Sequence, residues 1–163
     1  MNTNFMKLRD VMRSQNITYY LVPSEDPHQS EYVDDYFKCR QYISGFTGSA
    51  GTFLAGLDQG WLWTDGRYFT QAEQQISSDI TLMKQGVCGV PTTLQFLEQN
   101  LHSGDILGMN GLTISASYGK KILKLSKKYG FEFRFDLRLV EHIWAENGRP
   151  AITKTPVYRH DIK

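Results

Sequence analysis

Residues Thr52–Thr64 read TFLAGLDQGWLWT. Two apolar, strand-forming runs, Thr52–Leu57 and Trp61–Thr64, flank the turn-forming triplet Asp58-Gln59-Gly60, and that pattern predicts a β-hairpin. A hairpin pairs its strands antiparallel. Just upstream, Ile17–Val22 (ITYYLV) is a short β-rich run closed by Pro23, as expected of a buried strand that ends at a loop, and Ser24–Asp35 reads as that loop. Before it, Phe5, Leu8 and Met12 recur at three and four residues, the spacing of one buried helical face, in a helix that should end near Asn16.

Downstream the alternation continues. Phe69, Ala72 and Ile76 share a helical face; Ile80–Met83 and Ile106–Met109 are short apolar runs; between them Leu94, Leu97 and Leu101 mark a helix whose start Pro91 and Thr92 punctuate. Ser115 is a candidate N-cap for a helix with Tyr118, Ile122, Leu125 and Tyr129 on one side, lysines on the other and Gly130 as its stop. Phe131–Arg138 alternates aromatic or aliphatic with charged residues and predicts a strand with one buried and one wet face. Helices interleaved with strands, one hairpin among them, define an α/β fold: a mixed β-sheet flanked by helices. The domain is expected to span residues 1–148. Gly148-Arg149-Pro150 and Thr155-Pro156 mark residues 149–163 as an exit linker towards a second domain.

Composition bounds the function. With 163 residues, 40% of them hydrophobic and 21% charged, the chain suits one domain with a real core. Eighteen basic residues against 17 acidic ones leave a formal charge of +1, so no global field gathers nucleic acid or anionic lipid. The lysines at 120, 121, 124, 127 and 128 read as a solvated helix face. Lys7, Arg9 and Asp10 interrupt the apolar run a signal peptide needs, and no segment has the length of a membrane span, which points to a cytoplasmic address without nucleic-acid or membrane partners. Cys39 and Cys88 form no CxxC and are expected as two reduced thiols.

Few residue patterns invite chemistry. Gly45, Gly48 and Gly51 in GFTGSAG match no phosphate-loop spacing and are expected to serve tight turns or close backbone approach. Ser44 or Ser49 with His28 and Asp26 or Asp65 would make a hydrolytic triad only if folding assembled them. His28, His102, His142 and His160 are scattered and form no HExxH. Trp63–Phe69 (WTDGRYF) sets Asp65, Gly66 and Arg67 at a strand-to-helix junction, where open α/β sheets present functional groups. The plainer alternative is that Asp65 caps the next helix and Arg67 pairs with a nearby carboxylate.

Several segments together resemble the creatinase/prolidase-type N-terminal domain of cytosolic Xaa-Pro aminopeptidases (aminopeptidase P): Leu21–Val33 (LVPSEDPHQSEYV), Cys39–Thr52 (CRQYISGFTGSAGT), Trp63–Gln75 (WTDGRYFTQAEQQ), Thr81–Gly86 (TLMKQG) and Leu139–Trp144 (LVEHIW). The resemblance covers nearly the whole chain. It implies a hydrolase of three domains, two related α/β domains and a catalytic domain of the pita-bread fold, that removes an N-terminal residue preceding proline. In that family the catalytic domain holds two divalent metals, usually manganese, through two aspartates, one histidine and two glutamates. None of those ligands lies in the part this chain matches, so the resemblance implies no catalytic residue, no metal ligand and no cofactor here. It also implies a cytosolic homodimeric metallopeptidase in which this domain shapes the substrate cleft, meets its own second and catalytic domains, and offers Arg67 to a peptide with proline at its second position. By the same resemblance the chain, stopping at Lys163, lacks those two domains and is not catalytic alone. Glu141 stands in LVEHIW where the family more often resembles LVDxIW. A peptidase-like domain reused to bind peptides or proteins is the alternative, and ligands encoded beyond Lys163 would separate the two.

Overall fold

The run ITYYLV owes its unbroken apolar character to its place in the middle of a sheet covered on both faces. The computed structural model describes residues 2–156, 158 and 159. In it β1 (Tyr19–Pro23) pairs antiparallel with β2 (Thr52–Gly56) and parallel with β5 (Ile106–Met109). The hairpin partner β3 (Gly60–Thr64) runs antiparallel to β2 and parallel to β4 (Ile80–Lys84), while β6 (Glu132–Arg134) extends β5 in parallel. The order is β4-β3-β2-β1-β5-β6, with β2 opposed to the other five strands. The carboxyl ends of those five therefore lie along one edge, where this class of sheet presents its functional groups.

Alternate residues of the central strands enter different cores, as a period of two requires. Tyr20, Val22, Phe53, Ala55 and Leu62 pack with Phe5, Leu8 and Met12 of α1 (Thr3–Ser14), Ile43 of α2 (Cys39–Ser44), Ala72 of α3 (Phe69–Gln75) and Val140 of α6 (Leu139–Ala145). Leu21, Leu54, Trp63, Leu107 and Met109 pack with Leu97 of α4 (Thr93–Asn100) and Ile122 of α5 (Ala116–Tyr129). The helix signals read from the sequence are in place. Asn2 caps α1, Thr92 forms a capping box with Gln95, Ser115 accepts from the Tyr118 amide, and Gly130 ends α5 at φ +80°.

Two expectations need correcting, and one helix is additional to them. Gly60, read as part of the turn, opens β3 instead; a Cβ there would lie 2.8 Å from the Phe53 ring and 2.9 Å from Phe5, so the strand passes closer to α1 than any side chain permits. The strand expected over Phe131–Arg138 covers only Glu132–Arg134. Beyond it the Gly111 amide donates to the Phe135 carbonyl at 2.7 Å, a lone bridge joins Asn110 to Asp136, and the Phe135 ring points to solvent with 61% of its surface exposed. Helix α2, six residues long, is too short to show a period and carried no element in the sequence reading.

Two long-range contacts fasten α6. The buried Tyr20 hydroxyl donates to the Leu137 carbonyl (2.9 Å) and accepts from the Leu139 amide (3.1 Å). Buried Glu141 accepts from the Asn110 amide group, so the longer acid in LVEHIW closes the loop after β5. Arg149, the first residue of the expected linker, donates twice to the Tyr36 carbonyl (2.9 and 2.7 Å) and stacks 3.6 Å over the Tyr36 ring. Residues 150–156 are exposed. Expectations for His160 and the end of the linker lie outside the described residues.

Candidate functional site

The chain leaves β3 at Thr64, whose buried hydroxyl donates to the Ala50 carbonyl at 2.7 Å. A tight turn follows, closed by the Tyr68 amide donating to the Asp65 carbonyl at 3.0 Å. Within it Asp65 Oδ1 accepts from the Arg67 backbone amide (3.1 Å) and from its Nε (2.8 Å), while Oδ2 accepts from Nη2 (2.8 Å). This two-pronged pair holds the Asp65 carboxyl down at about 2 through its hydrogen bonds and charge, and raises the Arg67 guanidinium. The Arg67 side chain remains 69% exposed. Of its five N–H donors the pair uses one on Nε and one on Nη2, so the Nη1/Nη2 edge has no partner among the described residues. Asp65 does not cap α3, because Tyr68 holds that position without a side-chain bond.

Beside this turn runs the GFTGSAG loop. The Tyr68 ring lies 5.2 Å from the Arg67 guanidinium carbon, and its hydroxyl meets Ser49 Oγ at 2.7 Å. The loop is clamped from below by Arg40, 4% exposed, whose Nε donates to Ser24 Oγ (2.8 Å), Nη1 to the Phe46 carbonyl (2.5 Å) and Nη2 to the Gly48 carbonyl. All three acceptors are neutral. Burial pulls the Arg40 guanidinium down to about 10. The loop glycines serve close approach, as expected: a Cβ on Gly48 would sit 2.3 Å from the Phe46 ring, and one on Gly51 would sit 2.8 Å from the Trp63 carbonyl oxygen. Gly45 ends α2 at φ +78°. A cleft of about 270 Å³ opens between this loop and Glu31–Val33. A second, of about 360 Å³, lies between Glu25, Trp63 and Tyr118.

No hydrolytic triad forms from the residues considered. Ser44 is buried, donating to the Arg40 carbonyl and accepting from the Phe46 amide; Asp26 accepts from the amides of His28 and Ser30; Asp65 is taken by Arg67 and Ser49 by Tyr68. His28, His102 and His142 are exposed on separate elements. Among the described residues no three His, Cys, Asp or Glu side chains gather to hold a metal ion. No helix of the described residues is long and apolar enough to cross a membrane. Arg40 is the residue whose part sequence reasoning missed. An arginine in a short polar-looking helix reads as exposed, and only its burial reveals the clamp.

A mixed sheet covered on both faces, with an exposed arginine paired to an aspartate where β3 ends, defines this α/β domain. The chain belongs to the Creatinase/Prolidase N-terminal domain family, matched over residues 5–133. Its curated relatives include the probable Xaa-Pro aminopeptidase P of Laccaria bicolor, 40% identical over 158 residues, which are 96% of this chain and 24% of that protein. Aminopeptidase P2 of Arabidopsis thaliana is 39% identical over 149 residues, 90% of this chain and 21% of that protein. The chain thus spans about a quarter of the length of such relatives. Among solved structures, X-prolyl aminopeptidase from Caenorhabditis elegans, described as a cytosolic enzyme with a di-nuclear active site, superposes with a TM-score of 0.83 at 33% identity over 91% of this chain and 26% of that one. The N-terminal domain of the cytoplasmic peptidase PepQ from Mycobacterium tuberculosis H37Rv, at 22% identity and a TM-score of 0.64 over 88% of this chain and 99% of that one, shares the fold.

Proposed function

We propose that this chain is the non-catalytic N-terminal domain of a cytosolic Xaa-Pro aminopeptidase, and that Arg67 contacts the peptide whose second residue is proline. One observation carries the reading: the Arg67 guanidinium stands exposed at the carboxyl edge of the sheet with one hydrogen-bonding edge unused. A planar fork of this kind holds carbonyl or carboxylate oxygens while keeping its charge. Similarity to Xaa-Pro aminopeptidases about four times as long supports the assignment of the chemistry to other domains. Residues 149–163 lead to a second domain, and a catalytic domain beyond it holds two divalent metals, manganese in this reading, within a homodimer. Bound there, those metals would supply an activated water at the Xaa-Pro bond; this chain's part is to bind and orient the peptide.

The test is Arg67→Ala in the full-length protein, assayed with a tripeptide carrying proline second. Loss of one charged hydrogen bond is worth about 1.5 to 3 kcal/mol, roughly a tenfold to hundredfold fall in kcat/KM. Unchanged kinetics would reject Arg67 as a substrate contact. Reading the coding sequence past the Lys163 codon tests the wider assignment: a two-Asp, one-His, two-Glu ligand set sustains it, and its absence leaves a peptide- or protein-binding module.

A further inference from the structure

The structure assigns Asp65 as the positioning residue that fixes which edge of Arg67 meets the substrate, and thereby makes Arg67 a reader of neutral backbone carbonyls rather than of a free carboxylate. This rests on the reading of Arg67 as a substrate contact. An exposed arginine ordinarily spreads over many rotamers, and that freedom is lost when it is fixed on binding. Here the carboxylate two residues earlier grips the Nε/Nη2 side with both oxygens at 2.8 Å. Asp65 is itself held, because the same Oδ1 accepts the Arg67 backbone amide at 3.1 Å and the preceding Thr64 is buried and bonded across to Ala50. The Tyr68 ring, tied through its hydroxyl to Ser49, stands 5.2 Å from the guanidinium carbon and limits swinging on that side. One edge, Nη1 with the second Nη2 hydrogen, is left to face a ligand.

The charge balance sets the ligand class. Asp65 stays ionised to well below neutral pH, so the pair as a whole carries no net charge and offers directed donors without long-range attraction for an anion. The chemistry that fits is a carbonyl of an extended peptide backbone, which is uncharged and accepts in the plane. Removing the negative partner should loosen the guanidinium and expose its full charge, shifting preference towards substrates that end in a carboxylate.

The experiment uses the full-length, Mn²⁺-loaded enzyme with two probes, Ala-Pro-Ala and its C-terminal amide. Wild type is expected to turn over the two with kcat/KM values within about twofold. Asp65→Asn is expected to lower kcat/KM for the amide by about threefold to tenfold and for the acid by less, so that the acid-to-amide ratio rises. In an Arg67→Ala background the same substitution should change neither value. An equal loss on both probes, a loss that persists when Arg67 is absent, or no loss at all overturns the assignment of Asp65. If Arg67→Ala alone costs nothing, the fault lies instead with the substrate-contact reading.

Discussion

Replacing Arg40 with methionine puts the clamp under the GFTGSAG loop to a test in which even the sign is at stake. The substitution strips the donors from two buried carbonyl oxygens, Phe46 and Gly48, and an orphaned buried acceptor costs about 1 to 3 kcal/mol. It also removes the guanidinium from the Phe46 ring, 4.7 Å from the centroid, a contact worth about 0.5 to 2 kcal/mol. Against this stands relief from burying an unpaired cation. Its fall to about 10 corresponds to a desolvation penalty of about 3 kcal/mol. The losses sum to about 2.5 to 8 kcal/mol and exceed the relief by up to about 5 kcal/mol, nearly matching it at their low end; the middle of that range makes the mutant less stable by about 2 kcal/mol. Urea denaturation of the 163-residue chain followed by tryptophan fluorescence measures it directly. For a domain of this size the same change lowers Tm by roughly 2 to 4 °C per kcal/mol. Arg40→Lys should fall at least as far, because a more strongly hydrated ammonium cannot reach three separated acceptors. A methionine mutant as stable as wild type, or more so, would show that desolvation wins and that Arg40 does not hold the loop.

Other outcomes follow from the same geometry. Tyr20→Phe leaves the buried Leu139 amide without its acceptor and the half-buried Leu137 carbonyl without its donor, and should cost about 1.5 to 3 kcal/mol in the same assay, whereas Tyr19→Phe should stay within about 0.5 kcal/mol. The Asp65 carboxyl, followed by NMR, should titrate at about 2. Because its value is lowered on folding, the pairing with Arg67 is fully present above the ordinary carboxylate range and is lost only as pH falls through about 2; in Arg67→Ala the titration should return towards 3.8. Burial, with the Glu141 charge next, pushes the Cys39 thiol up to about 12, so a disulfide reagent at pH 8 should modify exposed Cys88 at once and Cys39 only on unfolding. Rapid labelling of both thiols in the native chain would contradict that.

Much of the architecture was legible because local physics wrote it twice. Thr92 and Gln95, Ser115, and Gly130 marked helix ends by cap chemistry while apolar spacing marked the helix faces, and both signals agreed with the observed α4 and α5. The hairpin turn and the apolar run before Pro23 located β1, β2 and β3. Phe131–Arg138 misled because alternation records what side chains could do in a sheet, whereas strand length depends on the partner. β6 is the edge strand and its pairing with β5 stops at Gly108–Arg134, and Phe135, next along, has no second face to bury. Arg67 was found through a motif, and its geometry was not.

The sequence by itself determined the alternation of helices and strands, the mixed character of the sheet, the ends of its longer helices and the family, since each depends on residues close in the chain or on motifs in order. Only the tertiary structure decided the strand order, the division of the central strands between two cores, the burial of Arg40 beneath neutral oxygens, and the pinning of α6 by Tyr20 across more than a hundred residues. The same holds for Arg67. That an arginine follows Asp-Gly was written in the chain, but which of its edges Asp65 occupies, and which stays open, depends on side-chain directions that appear only once the strand end, the turn and the neighbouring loop are fixed together.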